Sequence, residues 1–359
     1  MSLVEQVVFG FVPKIAVVAF GGNALLPKES DGTQEEQEAL AREAAVWLAD
    51  IVEQGYEVAI VHGNGPQVGN IMIQVEQSVL QIPPISLDVA VAETQGSIGF
   101  LLQAALRNEL VRRQIGKDVV TLLTEVEVDP DDPAFRNPSK PVGPFFNRYR
   151  AKVLTDERGW TMKEDAGRGF RKVVPSPRPK RILNFEVIRR LVTNGTVVIA
   201  SGGGGIPVVP HSDGGYRGVE AVIDKDYASA LLAADLKADL FIVLTEVPFV
   251  MKDFGKKSQK PIHRLTVSEA RKLMKQGQFP PGSMGPKIDA SCCFIESGGK
   301  AVLITDSAHL KQALAGHAGT RLEADGENES GKRKKKKKTR TKAKMLRKKE
   351  ENQGTTKDA

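Results

Sequence analysis

Ile15-Ala16-Val17-Val18-Ala19-Phe20 runs straight into Gly21-Gly22-Asn23-Ala24, and this junction decides the fold. A short, wholly apolar run reads as a strand buried on both faces, the pattern of a parallel sheet. The same junction recurs at Val58-Ala59-Ile60-Val61 before Gly63-Asn64-Gly65-Pro66, and at Val197-Val198-Ile199-Ala200 before Gly202-Gly203-Gly204-Gly205. Glycine at the carboxyl end of a strand removes the Cβ that would keep backbone N–H groups away from an anion. The helix that follows adds the positive end of its dipole. Ligands of open α/β sheets bind at the carboxyl ends of the strands. Three such corners imply one cleft shaped for phosphate and a small anion.

Outward from the corners, apolar runs alternate with helical patterns. Helices are expected at residues 34–54, closed by Gly55, at about 68–80 before Pro83-Pro84, and at 87–114. The stripe of Val89, Ile98, Leu101, Leu102, Leu106 and Leu110 suits the core or a subunit interface. A strand at 118–123 ends the first run of alternation. Further on come helices near 185–192, 225–236, 267–276 and 286–296, with strands at 239–244 and 301–304. The fold class is α/β, a three-layer αβα sandwich with a mainly parallel open sheet. Residues 125–179 interrupt this order with a stretch rich in Pro, Gly and charge, too long for a simple connection. Val142, Phe145, Phe146, Tyr149, Trp160 and Phe170 argue for a small inserted flap with a fold of its own.

The chain has 359 residues and a formal net charge of +7, but the charge is not spread evenly. From Asp325 to Ala359 there are 14 basic and 6 acidic residues, a local charge of +8. The preceding 324 residues hold 37 basic and 38 acidic groups and are close to neutral. The tail, centred on Lys332–Lys338, is expected to be disordered. No apolar stretch approaches the roughly 18 residues that a membrane-spanning helix needs. Residues 1–13 lack the basic n-region and the cleavage site of a signal peptide. Cys292 and Cys293 are adjacent, which suits neither a structural disulfide nor a zinc site, and a reducing cytoplasm fits them.

Several chemistries are excluded by what is missing. There is no G-x-x-x-x-G-K-[ST] loop and no G-x-S-x-G elbow. Gly63–Gly69 is one residue too long for the dinucleotide fingerprint and contains Pro66. The five histidines show no metal-ligand spacing. What remains is glycine backbone and three lysines in unusual settings. Lys287 ends Gly282-Ser283-Met284-Gly285-Pro286-Lys287, Lys225 lies in Ile223-Asp224-Lys225-Asp226 at a helix start, and Lys140 sits among the prolines of the insertion. Phosphoryl transfer asks for fixed positive charge around the migrating group rather than for covalent chemistry. Singly each lysine reads as surface; together they suit such a site. By the same reading Arg168, Arg171 and Arg178 form a solvated face, and His62 is structural.

At these residues the chain resembles the carbamate kinases of the amino acid kinase family. The resemblance rests on Gly21–Leu25, Gly63–Asn70, Glu93–Gly99, Val128–Phe146, Glu164–Gly169, Val173–Pro177, Gly202–Pro207, Gly218–Asp226 and Gly282–Lys287, in order along nearly the whole body. It implies phosphoryl transfer between ATP and carbamate, giving ADP and carbamoyl phosphate, with Mg²⁺ and a homodimer. It implies an N-terminal extension (1–13) and a catalytic domain (14–324). That domain divides into an acceptor lobe, about 14–208 with the flap at about 125–179, and a nucleotide lobe, about 209–324. Residues 325–359 form the tail. Carried over position by position, Lys225 and Lys287 neutralise the transferring group, Asp226 holds them, and Lys140 reaches in from the flap. Gly21, Gly22, Asn23, Gly63, Asn64, Gly65, Gly203 and Gly204 bind the acceptor and phosphoryl oxygens. Thr245, Ser283, Met284 and Gly285 lie near the nucleotide.

Pro248 interrupts what should be a regular strand region of the nucleotide lobe, and both terminal extensions depart from the family pattern. One rival reading is another amino acid kinase acting on a carboxylate acceptor, which leaves the flap unexplained. A second is a polyanion-binding protein acting through its tail by counterion release, although that tail lacks aromatics for base stacking.

Overall fold

Lys14–Phe20 pairs in parallel with Leu240–Leu244 on one side and with Tyr56–His62 on the other. The computed structural model describes residues 13–27, 30–165 and 167–326. The N-terminal extension to residue 12, and the tail from residue 327 with its expected disorder and polyanion contacts, lie outside the described residues. Asp325 belongs to the body: Ser268 Oγ donates to its carboxylate at 2.7 Å.

Among the described residues, eight strands form the main sheet. Their order is Arg264–Thr266, Thr320–Glu323, Val302–Thr305, Leu240–Leu244, Lys14–Phe20, Tyr56–His62, Val197–Ile199, Val119–Thr121. Every junction is parallel except that between Val302–Thr305 and Thr320–Glu323. The three strands that end in glycine corners are therefore neighbours, and their carboxyl ends share one edge.

Alternation along the first strand separates two cores, because successive side chains leave a strand on opposite faces. Ile15, Val17 and Ala19 pack on the side of helices Lys225–Asp235 and Met284–Glu296. Ala16, Val18 and Phe20 pack on the side of helices Gln34–Glu53 and Leu87–Arg112. The result is the expected three-layer sandwich. The helix Gln34–Glu53 starts at a capping box in which the Thr33 hydroxyl accepts from the Glu36 N–H, and the Glu36 carboxylate accepts from the Thr33 N–H.

The inserted region divides in two. Glu125–Val128 and Pro179–Ile182 join Ile206–Pro210 and Tyr216–Gly218 in a four-stranded sheet. Between them, Lys140–Phe146, Phe170–Val174 and Met162–Glu164 form a three-stranded sheet with helix Arg148–Arg158. Val142 and Val174 of this small sheet pack with Val68 and Met72 of helix Gly65–Ser78, which follows the second corner. The flap thus leans on an element of the site.

The sequence reading omitted Arg264–Thr266, Thr320–Glu323 and the hairpin of Val250–Lys252 with Lys260–Ile262. These are runs of three or four residues mixed with charge and proline, too short to show a period. Pro248 lies beyond the strand Leu240–Leu244, and its carbonyl accepts from Thr305 Oγ1 at 3.3 Å.

The four-glycine run owes part of its composition to packing. Gly204 has φ +100°, and a Cβ there would collide with the Ile223 carbonyl oxygen. Gly204→Ala is expected to lower the unfolding free energy by about 2 kcal/mol or more. Urea unfolding checks this; an unchanged midpoint would mean that the loop tolerates another backbone conformation.

Candidate active site

The first two corners are joined through the backbone. The Gly63 N–H donates to the Phe20 carbonyl at 2.8 Å. A Cβ on Gly63 would sit 2.6 Å from the Gly22 nitrogen and 3.1 Å from Lys225 Cδ. Glycine is what lets the Lys225 stem cross the corner at this distance.

The third corner is locked by side chains from helix Leu87–Arg112 and from the second corner. Gln95 Nε2 donates to the Gly202 carbonyl at 2.9 Å, and Gln95 Oε1 accepts from the Thr124 N–H at 2.7 Å. Asn64 Nδ2 donates to Thr94 Oγ1 at 2.8 Å. Gly203, at φ +69°, packs so closely on the Asn64 amide that a Cβ would overlap it. His62 fills the space against Gly202. Burial pushes the His62 pKa down to about 4, so the ring is neutral at pH 7.

Three lysines converge above these corners. Asp224 caps helix Lys225–Asp235, its Oδ1 accepting from the Asp226 N–H at 3.0 Å. The Asp226 carboxylate is buried, with 4% of the residue exposed. Its Oδ1 receives Lys225 Nζ at 2.9 Å, and its Oδ2 receives Lys287 Nζ at 3.0 Å. Lys140, the first residue of the flap sheet, places Nζ 2.9 Å from Asp224 Oδ2. Three ammonium groups thus face two carboxylates.

The titration behaviour follows from this surplus. Burial opposes the charge on Asp226, but Lys225 and Lys287 outweigh it and bring the pKa down to about 2. At Lys225 burial likewise opposes the charge; Asp226 and Asp224 overcome it, and the pKa is raised. At Lys287 burial, followed by repulsion from Lys225, outweighs Asp226, and the pKa is lowered. The site thus opposes the charge of Lys287 while favouring that of Lys225, and an incoming anion would stabilise the Lys287 ammonium.

These groups line a cleft of about 1010 Å³. Gly21, Gly22, Gly63, Asn64, Gly65 and Gly203 form its floor at the strand ends, beneath Lys140, Lys225 and Lys287. Thr245, Ser283 and Met284 line it further along, next to Met251, Phe254 and Phe279. Asn23 lies in the 3₁₀ turn Gly22–Ala24 at the first corner. Gly204 is turned to Ile223, as described above, and is not among the residues that line the cleft. The same holds for Gly285, whose N–H donates to the Pro280 carbonyl at 2.9 Å. Sequence reasoning overlooked Asp224 as the partner of Lys140, although an Asp directly before a helix is an N-cap signal. It also overlooked the apolar wall of Met251, on the strand Val250–Lys252, Phe254 in the turn after it, and Phe279 from a separate loop, which show no common period.

Comparisons with known proteins show the family. The family model described as amino acid kinase family matches residues 14–306. The carbamate kinase of Pyrococcus horikoshii is 48% identical over 313 residues, 87% of this chain and 99% of that protein. The chain belongs to the carbamate kinases, within the amino acid kinase family. The carbamate kinase of Clostridium perfringens is 46% identical over 310 residues, covering 85% of this chain and 98% of that one. Among solved structures, the carbamate kinase from Giardia lamblia bound to AMP-PNP has a TM-score of 0.83 at 39% identity, covering 87% of this chain and 99% of its own. This member of the family is a phosphotransferase.

The buried carboxylate gives the site a pH signature. Asp226 titrates at about 2 in the folded protein and near 3.9 unfolded. Its ion pairs therefore stabilise the fold fully above about pH 4, and this contribution is lost as pH falls towards 2. Asp226→Asn is expected to lower stability by about 3 kcal/mol at pH 7 and to flatten the fall between pH 4 and 2. Urea unfolding across that range checks it; an unchanged slope would mean that Asp226 does not carry the charge.

Proposed function

We propose that the cleft binds ATP or ADP together with carbamate or carbamoyl phosphate and transfers a phosphoryl group between them. The observation that carries this reading is the cluster of Lys140, Lys225 and Lys287 on Asp224 and Asp226, directly above the glycine corners. A carbamate oxygen attacks the γ-phosphorus of ATP as the bond from that phosphorus to the β-phosphate oxygen breaks. ADP leaves as an anion, and no proton changes place. Carbamate is already ionised, so the reaction needs no general base. The protein's task is positioning and charge neutralisation.

The backbone N–H groups of the first two corners hold carbamate and the phosphoryl oxygens. Lys225 and Lys287 neutralise the migrating group from one side, and Lys140 closes from the flap. Thr245, Ser283 and Met284 contact the nucleotide, with Phe254 and Phe279 as apolar surface for its base. Mg²⁺ would accompany the nucleotide. The oxygens of Asp224 and Asp226 are already taken by Lys140, Lys225, Lys287 and the Asp226 N–H, so the ion would be held mainly by phosphate oxygens and water. When bound, it would add positive charge on the phosphates.

The same proposal includes ATP synthesis from carbamoyl phosphate in arginine catabolism, a cytoplasmic location and a homodimer. The dimer is supported by helix Leu87–Arg112, where Val89, Phe100 and Val111 are exposed at eleven-residue intervals and so share one face. Light scattering at twice the chain's mass is the check.

The test of the reaction is ATP formation from ADP, Mg²⁺ and carbamoyl phosphate in a hexokinase-coupled assay. Native protein is expected to make ATP. Lys225→Ala and Lys287→Ala are each expected to lose about a hundredfold in kcat while staying folded, roughly 3 kcal/mol of barrier. Near-native turnover in either variant would remove that lysine from the mechanism.

A further inference from the structure

Arg178 was read from the sequence as part of a solvated face, and its side chain is indeed half exposed. Its contacts are not those of a solvated residue. The guanidinium carbon lies 3.4 Å from the centre of the Tyr227 ring. Nη2 donates to Asp289 Oδ2 at 2.8 Å, and the Tyr227 hydroxyl donates to the same oxygen at 2.7 Å. The other Asp289 oxygen is taken by Arg271, which also holds Glu296.

The position of each partner in the chain gives the cluster its meaning. Tyr227 lies one residue after Asp226 and two after Lys225, on helix Lys225–Asp235. Asp289 lies two residues after Lys287, on helix Met284–Glu296. Arg178 lies in the segment that leaves the flap, four residues after Val174, which pairs with Lys140. That segment is fixed at two more points. The Arg178 N–H donates to Asp132 Oδ2 at 3.0 Å, and the Pro175 carbonyl accepts from the Val222 N–H at 3.0 Å. One cluster thus joins the helices that deliver Lys225 and Lys287 to the segment that follows Phe170–Val174, the partner strand of Lys140, without itself lining the cleft.

We propose that Arg178, Tyr227 and Asp289 form a latch that sets the relative positions of the three lysines, with Arg178 as the positioning residue. The inference rests on the phosphoryl-transfer reading above. Stacking on Tyr227 fixes Arg178 against one helix, and the hydrogen bond to Asp289 fixes it against the other. A guanidinium can do both at once because it is planar and offers donors at its edge. A lysine in its place can keep the charge but not the stack. The three partners act as a unit, so removing any one of them should undo most of what the whole cluster does.

The experiment uses the full chain and compares Arg178→Gln, Arg178→Lys, Tyr227→Phe and the double variant Arg178→Gln/Tyr227→Phe with native protein in the ATP-forming assay. Activity is measured about 15 °C or more below each variant's melting temperature, where the native state dominates. Arg178→Gln is expected to lose about thirtyfold in kcat, with KM for ADP within about twofold of native. Arg178→Lys should recover only part of that loss, and the double variant should be no worse than the poorer single one. The latch is overturned if Arg178→Gln keeps kcat within about twofold of native. It is equally overturned if the losses follow the fraction unfolded, or if Arg178→Lys restores full turnover. Native protein that makes no ATP would instead overturn the reaction on which the inference rests.

Discussion

The ion pairs of Asp226 are the constraint on which the site depends. A carboxylate this deeply buried is costly unless it is paired, and removing its partners is more costly still. Here the pairing is done by two ammonium groups that arrive on different helices, Lys225 from Lys225–Asp235 and Lys287 from Met284–Glu296. The carboxylate fixes where those helices meet. The helices in turn bury their apolar faces on the same side of the main sheet. Packing brings the two lysines together, and Asp226 makes their approach tolerable.

The glycine floor of the cleft has a different physical origin. It is made by strand ends rather than by side chains. The sheet order places the three glycine corners next to one another, and the hydrogen bond from Gly63 to Phe20 ties two of them together. Gln95, Asn64 and Thr94 then fasten the third corner. In the proposed reaction, fixed backbone donors on one side and fixed ammonium groups on the other leave little to rearrange as the phosphoryl group moves. Such preorganisation is the usual source of rate enhancement where no covalent step is involved.

Much of this was legible in the sequence because the signals are local. Each of the three corners joins a buried strand to glycine within ten residues, and the structure places all three on one edge. Lys140, Lys225 and Lys287 stood out by their glycine, proline or acidic neighbours. What the sequence hid depends on contacts between distant segments. Asp224 is an ordinary helix cap until Lys140, 84 residues away, reaches it. Gly204 and Gly285 belong to glycine motifs, and nothing near them in the chain shows that they pack closely on Ile223 and Pro280. Arg178 looked like surface because nothing near it in the chain shows that Tyr227 and Asp289 converge there. The short strands Arg264–Thr266 and Thr320–Glu323 form only because the sheet edge offers them a partner.

The central claim is that the lysines bear on the migrating phosphoryl group, and Lys287 is where this is most directly visible. The measurement is NMR titration of ε-¹³C-labelled lysine, with the Lys287 signal assigned by its loss in Lys287→Arg. In the free protein Lys287 should titrate below the ordinary lysine value, because burial and Lys225 oppose its charge. Adding ADP and carbamoyl phosphate should raise that value as anionic oxygens approach. A Lys287 that titrates at the ordinary value and does not respond to the substrates would contradict the account.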